Sequence, residues 1–361
     1  MTLILGSIYP LLAQSVDLEE PIDQIKKNKI NKIKPTILPI LFYSPETQVA
    51  IGATGLLLFK TNDTNARTSY IDFFALTTQR KQRIIASLWS VFTPKEKFFI
   101  KGELYYSKFP DYFYGIGNQT SEEMREEIRY KTFFVYNWCL RQLRPHLFFG
   151  PQYQLYKVFD TRFPLYSRFN ESNLKSFNGS LTSGLGLAFV FDTRDHTTNA
   201  HTGWYIEASG YEYANFLGSQ YNFTSVLLDI RKYIPINSNA TLALAVANNI
   251  NVGEAPFKQL AFLGGTRNMR GYYEGRYRDN NSIIFQAEFR QKVYKRWGVV
   301  VFATAGNVYS NIDDLIHSTI RYTLGTGIRF AVNRKENTNL RLDAGFGEHT
   351  HGIYGNFTEA F

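Results

Sequence analysis

The side chains with chemical reach in this sequence are scattered. Its six histidines are His146, His196, His201, His317, His349 and His351. A hydrolytic site needs a nucleophile, a base and an orienting acid brought to one place, and no Gly-x-Ser-x-Gly turn occurs. His349-x-His351 is the nearest approach to a metal-ligand pair, but loop histidines without further ligands are ordinarily solvated. Cys139 is the one cysteine, which excludes a disulfide framework and a Cys-based zinc site. Gly184-Leu185-Gly186 and Gly325-Thr326-Gly327 lie in strand-like text with no helix after them. A phosphate cradle needs that helix, so these glycines are read as easing strand bends. The expectation is a protein that is not an enzyme and carries no metal and no cofactor.

The elements that must position any site read as strand, turn, strand from residue 37 onward, with hardly any helical period. Sixteen strands are predicted, at 37–43, 48–60, 69–79, 83–92, 98–109, 129–143, 146–159, 180–191, 204–214, 221–234, 241–252, 283–293, 299–308, 321–332, 340–347 and 353–361. Most approach the length of about ten residues that crosses a bilayer at a tilt. In Phe285-Gln286-Ala287-Glu288-Phe289-Arg290 the apolar and polar residues alternate, and in Leu340-Arg341-Leu342-Asp343-Ala344 the charges share one side. Charges recurring in mid-strand on one face suit a hydrated lumen better than the dry interior of a sandwich. The long loops follow strands five, seven, eleven and thirteen, all odd, and most connections after even strands are short. Outer-membrane barrels show this parity, with short periplasmic turns and long outer loops.

Composition agrees. With 24 Tyr, 30 Phe and 4 Trp, the aromatic load exceeds that of ordinary soluble domains. Mean hydropathy is −0.25, and no run of about twenty apolar residues marks a membrane helix. A barrel reconciles the two, because its apolar residues occupy every second position. The aromatics, with Trp89, Trp138, Trp204 and Trp297 near strand ends or in upper strand turns, are expected in interfacial girdles. The net charge of +9 is dispersed, which argues against a nucleic-acid partner.

Residues 1–14, with an apolar stretch from Leu3 to Leu12 before Ala13, resemble a truncated secretory signal lacking its basic start. Residues 15–35 are predicted to be a periplasmic segment. Its cluster Lys26, Lys27, Lys29, Lys32 and Lys34 is read as a solvated linker or a contact to anionic lipid. Residues 36–361 are predicted to form the barrel. Pro39 within the first strand removes a ladder donor, as happens at an edge or a bulge.

Five segments resemble, in order, motifs of the bacterial surface-antigen superfamily, the family of the BamA and TamA outer-membrane assembly barrels. Leu263-Gly264-Gly265-Thr266-Arg267-Asn268-Met269-Arg270-Gly271-Tyr272 resembles its Arg-Gly-aromatic loop. Asp192-Thr193-Arg194-Asp195, with Gly203 eight residues on, resembles the end of its eighth strand and the turn after it. Phe302-Ala303-Thr304-Ala305-Gly306-Asn307-Val308 resembles its thirteenth strand. Asp111-Tyr112-Phe113-Tyr114-Gly115-Ile116-Gly117-Asn118 resembles a loop of its short members. Phe357 and Phe361 resemble the terminal aromatic signal for outer-membrane insertion.

The resemblance implies an all-β transmembrane antiparallel barrel whose long sixth outer loop folds into the lumen. It implies that Arg270 pairs with acids on strands twelve and thirteen. Glu288 matches the first, while Thr304 stands where the family usually has Asp. A lumenal Arg–carboxylate pair is charge-assisted, and it either serves a mechanism or simply pins the loop. Assembly members carry periplasmic substrate-handling domains, for which this sequence has no room, so client capture does not carry over with the fold. The leading expectation is an outer-membrane barrel of a Gram-negative bacterium that assists assembly, insertion or translocation of outer-membrane components. Its partners would be outer-membrane lipid and other outer-membrane or periplasmic proteins. The alternatives are a gated or plugged channel for small solutes, and a structural partner barrel without transport activity.

Overall fold

The computed structural model describes residues 34–59, 69–197, 199–333, 338–357 and 359–361. The predicted signal segment and nearly all of the segment after it, with Lys26, Lys27, Lys29 and Lys32, lie outside the described residues.

The chain closes into a barrel of sixteen antiparallel strands. In its first half these are β1 (Lys34–Ser44), β2 (Gln48–Phe59), β3 (Ser69–Thr78), β4 (Arg83–Phe92), β5 (Phe98–Phe113), β6 (Glu126–Arg144), β7 (Leu147–Arg162) and β8 (Ser180–Asp192). The second half begins with β9 (Gly203–Tyr213), β10 (Phe223–Asn237) and β11 (Ala240–Gly253). After β11 the chain enters a long loop with its own two-stranded ladder, β12 (Ala261–Leu263) and β13 (Tyr277–Asp279), around a single helical turn, α1 (Gly265–Asn268). The barrel resumes with β14 (Asn281–Tyr294), β15 (Trp297–Tyr309), β16 (Arg321–Asn333), β17 (Thr338–Gly347) and β18 (Thr350–Phe357). No helix among the described residues is long and apolar enough to cross a membrane; the strands do so.

Period-two alternation decides what each face meets. On β14, Phe285 and Phe289 are exposed on the outside, while Gln286, Glu288 and Arg290 are buried in the lumen. On β17, Leu340 and Leu342 point out, and Arg341 and Asp343 point in. The same rule sends many aromatics inward, which corrects the expectation of a purely interfacial belt. Trp204 and Trp297 are exposed, but Trp138 is buried in the lumen, as are Tyr105, Tyr130, Phe134 and Tyr213. The four besides Trp138 belong to one cluster with Phe169, Leu174, Phe257 and Leu260, which the long loops bring into the barrel mouth, while Trp138 packs with Leu140, Phe148, Ala188 and Val190 of the wall. Part of the inner aromatic surface thus seats those loops.

Two strand boundaries also differ from expectation. β5 and β6 pair as far as Phe113 with Glu126, so the loop between them is shorter than predicted. The last strand ends at Phe357 rather than continuing to Phe361. Where β1 meets β18 the ladder is thin. Among the described residues they share one registered pair, Tyr43 with Gly355, whereas β1 pairs with β2 along all eleven of its residues. The β1–β2 register is unbroken past Pro39, so no bulge explains that proline.

Candidate functional site: a loop pinned inside the lumen

The long loop enters the lumen because its glycines allow it. Gly264, Gly265 and Gly271 adopt φ of 102°, 95° and 119°, the left-handed region closed to most side chains. A Cβ on Gly271 would come within 3.1 Å of backbone atoms of Gly345, Phe346 and Gly347 on β17. A Cβ on Gly345 would lie 2.6 Å from the carbonyl carbon of Arg270. The loop thus rests directly on the β17 backbone, and this contact delivers Arg270 to the barrel wall.

Arg270 is the centre of a buried charge network. Its Nη2 lies 2.5 Å from Glu288 Oε2 on β14, and its Nη1 lies 2.5 Å from Asp343 Oδ2 on β17. The guanidinium also stacks over the Phe302 ring of β15, 3.6 Å from its centroid. Arg329 on β16 pairs with Asp343 at 2.5 Å and with Glu359 at 2.6 Å. Arg290 pairs with Glu288 at 2.9 Å, and Arg341 with Asp343 at 3.2 Å. Four arginines face three carboxylates, all nearly inaccessible. Such a cluster holds together because each charge has several partners; removing one leaves its neighbours buried and uncompensated.

Thr304 stands where the family usually has the second acid. Its hydroxyl has no hydrogen-bond partner among the described residues, and it is not the second partner of Arg270. Asp343 on the fifteenth barrel strand fills that place. Gly306, from the same predicted motif, has a seating role, for a Cβ there would lie 3.2 Å from Leu263 of the loop.

Beyond the charges, the loop grips the strands on both sides of the thin seam. The Gly271 amide donates to the Tyr354 hydroxyl of β18 at 2.9 Å, and the Thr350 hydroxyl donates to the Gly271 carbonyl at 3.0 Å. The Glu348 amide donates to the Tyr272 hydroxyl at 3.0 Å. On the other side, the Glu274 amide donates to Glu46 Oε1, in the β1–β2 turn, at 3.0 Å. Burial, with the Glu274 carboxylate beside it, pushes the Glu46 carboxyl up to about 7. Asp343, Tyr354, Glu46 and the Gly345–Gly347 backbone were not legible as loop partners. Alternation gives the face of a residue, not what descends onto it.

The other predicted motifs do separate work. Asp111, at the outer end of β5, accepts from Lys258 Nζ at 2.8 Å, the Tyr273 hydroxyl at 3.0 Å and the Tyr130 hydroxyl at 3.2 Å. It thereby ties the outer ends of β5 and β6 to the long loop. Asp192 and Arg194 form a two-point ion pair at 2.8 and 2.9 Å. Asp195 accepts from the His201 and Thr202 amides, and Gly203 turns the chain at φ 109°. This assembly closes the β8–β9 turn, at the opposite end of the barrel from the long loops. His349 is exposed on the β17–β18 turn and His351 is exposed in β18, paired with Phe346. Phe357 ends β18 opposite Leu340. Phe361 lies in the lumen and not on a lipid-facing strand, packed with Tyr233, Ala243 and Ala245, while its carbonyl accepts from Arg290 at 2.9 Å.

A closed sixteen-strand barrel with an apolar outside, a charged lumen and a loop pinned within it is a transmembrane barrel of the bacterial outer membrane. The Omp85 superfamily domain matches residues 90–347, and the chain belongs to that superfamily. Comparison with curated proteins finds no significant match. Among solved structures the fold is similar to that of BamA from Haemophilus ducreyi lacking POTRA domains 1-3, at 12% identity and a TM-score of 0.61, over 91% of this chain and 71% of that one. It is also similar to CdiB from Escherichia coli, at 10% identity and a TM-score of 0.57, over 99% of this chain and 74% of that one. CdiB from Acinetobacter baumannii matches at 10% identity and a TM-score of 0.56, over 92% of this chain and 61% of that one.

Proposed function

We propose that this barrel assists assembly, insertion or translocation of outer-membrane components, together with partner subunits, and does so without catalytic chemistry. The observation that carries the reading is the β1–β18 seam. Among the described residues the closure has a single registered pair, Tyr43 with Gly355, although β1 and β18 are each paired along their whole length on the other side. Unpaired strand edges are templates for an incoming strand. Opening costs few ladder hydrogen bonds, and the loop contacts to Tyr354 and Glu46 set when the edges part.

The test is to lock the seam. A Cβ on Gly355 would lie 3.8 Å from that of Tyr43, the separation a disulfide needs. Tyr43→Cys with Gly355→Cys, in a Cys139→Ser background, should lower the amounts of other outer-membrane proteins when oxidised and restore them on reduction. Unchanged amounts in the locked state, or on depletion of the barrel, would overturn the reading.

The second reading is a plugged or gated channel, favoured by a lumenal cavity of about 970 Å³ beneath the loop. A large, steady single-channel current from the wild-type barrel would favour it over assembly. A third reading, a structural partner barrel, predicts neither current nor an effect of the lock.

A further inference from the structure

The cavity beneath the pinned loop has features that the assembly role does not use. Its volume of about 970 Å³ falls in the range of small-molecule sites. Lumenal faces of β3 to β11 and β14 form the walls. Lys258, Phe262 and Arg267 of the long loop form the roof, and the β8–β9 turn forms the floor.

Four acceptor oxygens on its lining have no hydrogen-bond donor among the described residues: Glu103 Oε1, Gln152 Oε1, Asn249 Oδ1 and Gln286 Oε1. They come from β5, β7, β11 and β14, so they surround the space. Glu103, Gln152 and Gln286 are 6%, 2% and 8% exposed. Gln152 is held in one orientation, because its Nε2 donates to the Leu187 and Gly210 carbonyls, both at 3.0 Å. Buried acceptors without donors are destabilising, and together they ask for a ligand rich in donors. Aromatic surface stands beside them: Trp138 and Tyr136 meet edge to face at 5.5 Å, and Tyr205 and Tyr211 line the same space.

Charge narrows the ligand class. Lys101 already sits 5.0 Å from the Trp138 ring, and Arg231 5.1 Å from that of Tyr205. With Arg267 entering from the roof, these cations repel a cationic ligand. Glu103, Glu207 and Asp229 line the same walls and repel an anion. A neutral polyhydroxylated ring avoids both penalties. Its hydroxyls donate to the four oxygens and accept from Arg267, and its C–H faces lie on the aromatic rings.

We propose that the lumen cavity is a binding site for a short neutral saccharide. Ordered water also satisfies buried acceptors, so the experiment must separate the two. The full-length barrel, folded in a sugar-free detergent, is titrated by calorimetry with maltose, cellobiose, lactose and chitobiose. Inorganic phosphate and choline serve as charged probes. Saturable binding of at least one disaccharide, and of neither charged probe, is the expected result. Glu103→Leu should weaken that binding about tenfold, the worth of one hydrogen bond to a charged group, while Glu103→Gln, which keeps an acceptor, should preserve it. Gln286→Leu makes the same test on another wall should Glu103→Leu fail to fold. No heat from any of the four disaccharides would mean that the cavity holds water only and would overturn the proposal. So would binding of phosphate or choline instead, or saccharide binding indifferent to both leucine variants. The readout is independent of the seam lock, so either idea can fail without the other.

Discussion

Arg270 Nη1 lies 2.5 Å from Asp343 Oδ2, although 73 residues separate the two in sequence. With Glu288 on the other side of the guanidinium, this contact joins the long loop to two strands that are three places apart in the barrel. The loop is thereby a cross-brace of the lumen as well as a plug.

Removing one member of a buried, multiply bonded charge cluster costs about 3–5 kcal/mol. Arg270→Ala should therefore raise single-channel conductance and surface protease access to the loop. Asp343→Ala should do nearly the same, and the double variant should cost much less than the sum of the two. Wild-type conductance and protease resistance in Arg270→Ala would refute the brace.

The Glu46–Glu274 contact predicts a pH response. The Glu46 carboxyl, ordinarily near 4.5, is held at about 7 by burial and by Glu274. Between those values the folded barrel keeps a proton that the unfolded chain has lost. The stabilising contribution is thus complete below 4.5 and disappears as pH rises through 7. Protease access to the loop should increase between mildly acid and mildly alkaline buffer. Glu46→Gln should be flat over the same window; a wild-type slope in that variant would assign the response to another group.

Gly271→Ala adds a methyl at φ 119°, against β17 backbone atoms 3.1 Å away. Strain and overpacking each cost about 1–3 kcal/mol. Gly218→Ala, at φ 88° with nothing within 4 Å of its Cβ, carries only the conformational term. The midpoint of heat modification on a denaturing gel should fall further for Gly271→Ala than for Gly218→Ala, and equal shifts would argue against direct contact with β17.

For Phe361 two roles predict different measurements. An insertion signal acts before folding, so Phe361→Ala should lower the amount of barrel in the outer membrane. Lumenal packing acts afterwards, so the protein that does insert should melt earlier than wild type. A normal membrane level with a lowered melting point would leave packing as its role and remove the signal.

The barrel was legible in residues such as Phe285 to Arg290, because side-chain alternation is a local property that each strand writes out in full. Loop parity pointed to an even-stranded outer-membrane barrel, motif order to the superfamily, and the motifs named Arg270 and Glu288. Asp343 was visible as an inward charge, but nothing in its neighbourhood marks it as a partner of Arg270. That pairing depends on how deep the loop descends, which the Gly271–Gly345 backbone contact sets.

The seam and the cavity are further from the local text. Whether β1 and β18 pair fully depends on where the two ends of a closed sheet meet, a sum over all sixteen registers that no single segment contains. The cavity likewise arises because ten strands turn inward faces toward one space under a loop from elsewhere in the chain. Alternation settles which residues face the lumen; closure of the barrel and descent of the loop settle which of them touch, and which oxygens are left without a donor.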